Sequence, residues 1–249
     1  MKKYSNYQHA SISMSSDPEF LNGVEKIFNE IGVGAILESG TFLGLGSTTV
    51  LANQVIKSKS EFPNFFTLEI DIDFFLKARK NLKSFPFVKV LYGISVDLNE
   101  AIKFMETDDC ILNHQNYPDI FIDVEDNPKE FYINEIKGKL SGSRLNTWGK
   151  IKRWLKLGTA GEFKENLFST IIPKIRDKKP LILLDSCGGI GYMEFLKVIE
   201  LMKDKSFSII LDDVHHIKHF RSLQYLKDSK NGFKIIAEDL EKGWVIAYK

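Results

Sequence analysis

Short apolar runs alternate along the chain with segments of helical periodicity. Runs typical of buried strands cover residues 35–40, 65–70, 88–92, 180–185, 208–212, 233–237 and 244–248. Helical patterns follow the first two runs, at 48–55 and 74–82. After the fourth run, positions i, i+3, i+4 and i+7 of one helical face are Phe195, Val198, Ile199 and Met202. The pattern therefore predicts alternating strands and helices, with two strands at the C-terminus.

Continuously apolar strands separated by helices are typical of a parallel sheet that is covered on both faces. We predict a single α/β domain over residues 1–249, with a doubly wound, mostly parallel seven-stranded sheet and a C-terminal antiparallel hairpin. Residues 99–179 do not continue the alternation, and we interpret them as a helical insertion between strands 3 and 4. Its charge is divided between an acidic segment (106–130) and a basic one (137–156), as suits a lid over a substrate.

Composition narrows the classes of partner. The 249 residues are 43% hydrophobic and 27% charged, which is ordinary for a globular protein. Lys and Arg total 34 against 33 Asp and Glu, so no global field attracts nucleic acid or an acidic membrane. Nucleic acid is not an expected partner, and any partner that binds through charge must use a local patch. Two cysteines and the lack of an apolar run of about 18 residues predict a cytoplasmic protein without a membrane span. A homo-oligomer is left open.

A glycine-rich turn follows the first predicted strand. Gly40 and Gly44 let the backbone approach a ligand closely, and the helix start after Gly46 offers free N–H groups. Glu69 ends the second strand, where a carboxylate can accept both hydroxyls of a ribose. A nucleotide-type cofactor is therefore expected, although glycines of this kind can also serve only a tight turn. The spacing is not the G-x-G-x-x-G of a pyrophosphate site, which favours S-adenosylmethionine over a nicotinamide cofactor.

These motifs resemble the class I S-adenosylmethionine-dependent methyltransferases over nearly the whole chain outside the insertion. The resemblance implies that the turn at Gly40 holds the methionyl part, Glu69 the ribose and the turn ending at Ser95 the adenine. The cofactor-binding residues it implies are Glu38, Gly40, Thr41, Gly44, Gly46, Ser47, Glu69 and Ser95.

Three acids end the fourth and fifth strands. Asp185 follows one, and Asp212 and Asp213 follow the other. Neighbouring strands lie about 5 Å apart, so these carboxylates repel one another unless protons or a cation neutralise them. An oxygen-only ligand set favours Mg²⁺ or another hard divalent cation. The interval of 27 residues between Asp185 and Asp212 resembles that of the metal-binding acids in catechol- and macrocin-type O-methyltransferases. Alternatively, the acids only cap helices.

In the catechol type a basic residue closely follows the first metal-binding acid, but none follows Asp185. We therefore expect the general base in another segment. His215 and His216 come directly after the acid pair and are the candidates, since a histidine titrates near neutral pH. The same loop is also compatible with a capped helix start. Cys187 lies next to two glycines, but no triad accompanies it, and we do not expect a nucleophile there.

The sequence thus predicts metal-assisted methyl transfer to a hydroxyl of a small-molecule acceptor. Asp185, Asp212 and Asp213 would hold the metal and the acceptor oxygen, and His215 or His216 would take the proton. Three alternatives stay open: a metal-independent methyltransferase, a non-catalytic cofactor-binding module that docks through the basic insert, and a nicotinamide oxidoreductase.

Overall fold

The computed structural model describes residues 14–58, 64–141, 156 and 158–249. The strands are β1 Ala35–Ser39, β2 Asn64–Glu69, β3 Val88–Tyr92, β4 Pro180–Leu184, β5 Ser208–Leu211, β6 Lys234–Asp239 and β7 Trp244–Tyr248. The described α-helices are α1 Pro18–Lys26, α2 Ser47–Lys57, α3 Ile72–Asn81, α4 Leu98–Thr107, α5 Asp109–Leu112, α6 Pro128–Ser141, α7 Leu167–Ile175, α8 Gly191–Leu201 and α9 Phe220–Lys227. Among these helices, none combines the length and the apolar character that crossing a membrane requires.

The seven strands form one sheet in the order β3-β2-β1-β4-β5-β7-β6. All neighbouring pairs are parallel except those of β7, which runs antiparallel to both β5 and β6. The predicted mostly parallel α/β sheet with a C-terminal antiparallel pair is therefore confirmed. The strand order reverses between β1 and β4, and a crevice is expected beyond the carboxyl ends of strands at such a switch point.

Both faces of the sheet are buried at its central strands β1, β4 and β5, which explains why these strands are mostly apolar. Leu37 and Ile182 face a core formed with α7 and α8, whereas Ile36 and Leu183 face a core formed with α1 and α2. Side chains alternate between the faces of a strand, so neighbouring residues of β1 belong to different cores. A sheet enclosed in this way provides a rigid base for the loops at its carboxyl edge.

Further apolar residues, from α4, α5 and α6, form a third cluster with Ile190 and Ile217, which lie in the segments after β4 and β5. The residues that the three helices contribute to this cluster lie within the range predicted as an insertion, residues 99–179. The same range also contains α7, whose Phe168 and Ile172 pack into the sheet core. Helix α7 is thus a covering helix of the sheet, because a parallel crossover from β3 to β4 requires one. Within the predicted basic segment, residues 142–155 lie outside the described part of the chain.

Candidate functional site

A first cleft lies where the strand order reverses, beyond the carboxyl ends of β1 and β4. It encloses about 780 Å³ of empty space including its mouth, and it is lined by the segments after β1 to β4 together with α6 and α8. Gly40 lies where two of these segments cross: its φ is +98°, and a Cβ there would lie 2.0 Å from the backbone oxygen of Asp185. Only glycine allows both this conformation and this close approach.

Glu69 ends β2 and places its carboxylate in the first cleft. One oxygen accepts a hydrogen bond from the Phe42 N–H (2.7 Å) and the other from the Asp71 N–H (2.8 Å). Each carboxylate oxygen has a further lone pair, so both can accept additional donors. Burial raises the pKa of Glu69 to about 7, although the two N–H groups favour the ionised form. The side chain is thus an acceptor for a pair of donors in the cleft.

Glu38, by contrast, is fully buried behind the cleft. Its carboxylate accepts hydrogen bonds from three buried hydroxyls: Ser47 (2.6 Å), Thr48 (2.7 Å) and Thr67 (2.6 Å). The Thr67 hydroxyl in turn accepts from Thr41. This network fixes the turn between β1 and α2, and burial raises the pKa of Glu38.

The residues predicted to bind the cofactor therefore fall into two groups. Those that line the first cleft are Gly40, Glu69 and Ser95. Those whose side chains build the turn behind it are Glu38, Thr41 and Ser47. The two remaining glycines do not line the cleft: Gly44 packs against Leu82, and Gly46 immediately precedes α2.

Glu194 of α8 is a cleft residue that the sequence reasoning missed. It is fully buried, and its carboxylate accepts from Ser39 (2.7 Å), Ser186 (2.5 Å) and Ser95. These serines belong to β1 and to the segments after β4 and β3, so one carboxylate joins three walls of the cleft. Burial raises the pKa of Glu194. The sequence did contain a signal for this residue. Glu194 is a charged residue on an otherwise apolar helical face, four residues before Val198.

We expect Glu194→Ala to lower the free energy of unfolding by roughly 2–4 kcal/mol, because three hydroxyls in the site lose their acceptor. Urea unfolding of the purified proteins measures this. The matched control is Glu200→Ala on the same helix, whose side chain is 66% exposed and pairs only at the surface; it should change stability by less than about 0.5 kcal/mol. Equal unfolding midpoints for the two variants would contradict a joining role for Glu194.

The three predicted acids do converge. Asp185, Asp212 and Asp213 each place a carboxylate oxygen within 4.8 Å of the others. The structure also places a lysine there: Lys218 Nζ lies 2.8 Å from Asp185 Oδ1 and 2.8 Å from Asp213 Oδ2, and its side chain is only 5% exposed. Lys218 follows the acid pair by five residues, and the sequence reasoning assigned it no role.

Burial and the neighbouring charges together shift the pKa values of the groups in this acid cluster. Burial raises the pKa of Asp185 and, together with the charge of Asp185, raises that of Asp212 well above its usual range. For Asp213, burial is outweighed by the charge and hydrogen bond of Lys218, which lower its pKa. Burial disfavours the charged form of Lys218, but the three carboxylates raise its pKa well above normal, so the ammonium is retained.

The cluster does not fit a divalent ion while Lys218 is in this position. A metal would have to share the Asp185 and Asp213 carboxylates with the ammonium, which contacts one oxygen of each at 2.8 Å. Two cations at one set of ligands repel each other strongly in a buried site. We therefore assign no catalytic step to a metal.

A second cleft adjoins the first one, and the two share Glu135 and Ser186 as lining residues. Its other side chains include Asp123, which is 41% exposed, and His216, which is 7% exposed. His216 Nε2 lies 3.0 Å from Asp123 Oδ2, and its Nδ1 accepts the backbone N–H of Lys218 at 3.2 Å. Because Nδ1 is an acceptor, Nε2 carries the proton, and the Nε2–H group donates a hydrogen bond to Asp123.

The two histidines predicted as general bases therefore differ in their surroundings. His216 lines the second cleft, but both ring nitrogens are engaged. His215 bonds through Nε2 to the backbone oxygen of Leu240 (2.6 Å) and lines neither cleft. In the second cleft, the exposed member of the histidine–carboxylate pair is Asp123, which the sequence reasoning did not select. Burial raises the pKa of the Cys187 thiol to about 12, so it stays protonated.

By sequence, the chain matches no model of a protein family and no curated protein. The assignment of a function therefore depends on the geometry of the two clefts.

Proposed function

We propose that this protein is an S-adenosylmethionine-dependent methyltransferase that acts on a hydroxyl of a small molecule. The observation that carries the proposal is a cleft at the switch point with the Glu69 carboxylate on one wall and a second cleft opening beside it at Ser186. A cofactor and an acceptor would meet at that junction.

The residues of the first cleft suit this cofactor. Glu69 retains acceptor capacity for two ribose hydroxyls, and Leu68, Ile70 and Phe74 offer an apolar surface to a base. Asp185 lines the same cleft. The strand order, with β7 antiparallel between β5 and β6, also supports the resemblance to class I methyltransferases.

The acceptor binds in the second cleft, with its hydroxyl on Asp123. The cofactor, when bound, would supply a methyl group to the acceptor oxygen, with S-adenosylhomocysteine as the leaving group. Asp123 takes the hydroxyl proton, and the His216 Nε2–H holds the Asp123 carboxylate in place. Phe121 and Phe131 line the same cleft and add apolar surface to it. The main contribution of the protein is to position the two reactants.

Calorimetry tests the cofactor assignment first. S-adenosylmethionine and S-adenosylhomocysteine should both bind with one site per chain, whereas reduced nicotinamide dinucleotide, followed by fluorescence, should not bind. Transfer of a labelled methyl group to a panel of hydroxylated compounds then tests turnover. Nicotinamide binding would favour an oxidoreductase. Cofactor binding without transfer to any acceptor would favour the non-catalytic module.

Cofactor affinity should depend on pH through Glu69. Only the ionised carboxylate makes two charge-assisted hydrogen bonds, and its pKa is raised to about 7. Lowering the pH through 7 therefore removes the binding form, and by linkage the affinity at pH 6 should be about tenfold weaker than at pH 8. Calorimetry of S-adenosylhomocysteine across this range measures the effect. Glu69→Gln should lose the dependence of cofactor affinity on pH. If the variant keeps this dependence, a group other than Glu69 causes it.

A further inference from the structure

Lys218 lies where a metal ion would bind three carboxylates. We propose that its ammonium is the built-in counter-cation of the acid cluster Asp185–Asp212–Asp213, and that it replaces a divalent ion there. The further consequence, that methyl transfer needs no bound metal, rests on the proposed function.

The ammonium is held by three close contacts that a metal at the same carboxylates would disrupt. Nζ donates to Asp185 Oδ1 and contacts Asp213 Oδ2, both at 2.8 Å, and lies 3.4 Å from the Ser186 backbone oxygen. Displacing it would leave a charged group without partners in a position that is 5% exposed. Burying an unpaired charge is costly, so a divalent ion competes against both the hydrogen bonds and this penalty.

The backbone around Lys218 also restricts its movement. The Lys218 N–H donates to His216 Nδ1 (3.2 Å), and the preceding Ile217 N–H donates to the Phe121 oxygen (2.9 Å). Gly191, at the start of α8, packs so closely that a Cβ there would lie 2.5 Å from the Lys218 Cβ. The segment after β5 is thus fixed by Phe121 on one side and Gly191 on the other, and the Lys218 side chain is directed into the acid cluster.

This placement makes Lys218 a positioning residue for the site. It joins the segment after β4, through Asp185 and Ser186, to the segment after β5, through Asp213. Ser186 lines both clefts. The ammonium therefore holds the wall at which the two clefts meet, a role that a metal could fill in its absence.

The test uses Mn²⁺ as the probe, with the bound ion counted from the loss of the electron paramagnetic resonance signal of free Mn²⁺. Chelator-treated wild-type protein should bind no Mn²⁺ at millimolar concentration. Lys218→Ala should melt about 10 °C lower without metal, because the carboxylates lose their counter-cation. It should then bind one Mn²⁺ and regain several degrees. Lys234→Ala, an exposed lysine on β6, is the matched control and should behave as wild type.

Mn²⁺ binding by the wild-type protein overturns the proposal, and this measurement does not depend on any variant. Failure of folded Lys218→Ala to bind Mn²⁺ also overturns it, because the acids then need no cation. If the variant folds only when refolded with Mn²⁺, the proposal is supported.

Calorimetry of S-adenosylhomocysteine on the same wild-type sample separates the role of Lys218 from the proposed function. A metal-free protein that binds no cofactor refutes the proposed function alone, and a cofactor-binding protein that takes up Mn²⁺ refutes the role of Lys218 alone.

Discussion

Asp123→Asn is expected to lower the rate of methyl transfer by about 10²–10⁴-fold, the range that general-base catalysis supplies. The asparagine oxygen can still accept the His216 Nε2–H, so the geometry of the pair is kept. Its amide cannot take a proton from the acceptor hydroxyl. Because Asp123 lines the second cleft and not the first, cofactor affinity should not change.

Single-turnover transfer from labelled S-adenosylmethionine, together with calorimetry, measures both quantities once an acceptor is found. Asp126→Asn is the matched control, since this exposed acid lies three residues away and lines neither cleft. It should retain the wild-type rate. Full activity of Asp123→Asn would contradict the assignment of Asp123 as the proton acceptor. Another carboxylate of the second cleft, such as Glu135 or Asp213, would then be the candidate.

Glu69→Gln is expected to weaken cofactor binding at least tenfold at pH 8. The carboxylate has an acceptor oxygen for each of two ribose hydroxyls, and hydrogen bonds to a charged group are worth about 1.5–3 kcal/mol each. Glutamine keeps one acceptor oxygen and presents a donor in place of the other. The same change also removes an acceptor from either the Phe42 or the Asp71 N–H, so thermal unfolding must accompany the calorimetry.

The matched control for this variant is Asp73→Asn. Asp73 lies four residues further on, is 49% exposed and does not line the first cleft. It should bind S-adenosylhomocysteine as the wild type does. A folded Glu69→Gln protein with unchanged affinity would remove the ribose assignment.

The sheet was predictable because its physical cause is local. A parallel strand that is buried on both faces is mostly apolar: β4 is apolar at every position, and β1 is apolar at residues 35–37. The convergence of Asp185 with Asp212 and Asp213 followed from the same logic, since neighbouring parallel strands bring their carboxyl ends to one edge. The placement of Glu69 in the cleft has the same origin.

The partners of these residues were decided by tertiary packing. Asp123 and His216 are 93 residues apart and meet only because the segment before α6 folds against the one after β5. Glu194 is an acid on an apolar helical face, and only the three serines around it explain its burial.

Lys218 shows the same division within a single site. The spacing of the acids predicted that a cation or protons would neutralise them unless they only cap helices. The periodicity of the chain does not predict the direction in which a lysine side chain in a loop points. Close packing against Gly191 turns Lys218 inward, between Asp185 and Asp213. The sequence by itself determined the sheet and the edge at which the acids gather. Which cation neutralises them, and which carboxylate faces the second cleft, depended on contacts between loops that are distant along the chain.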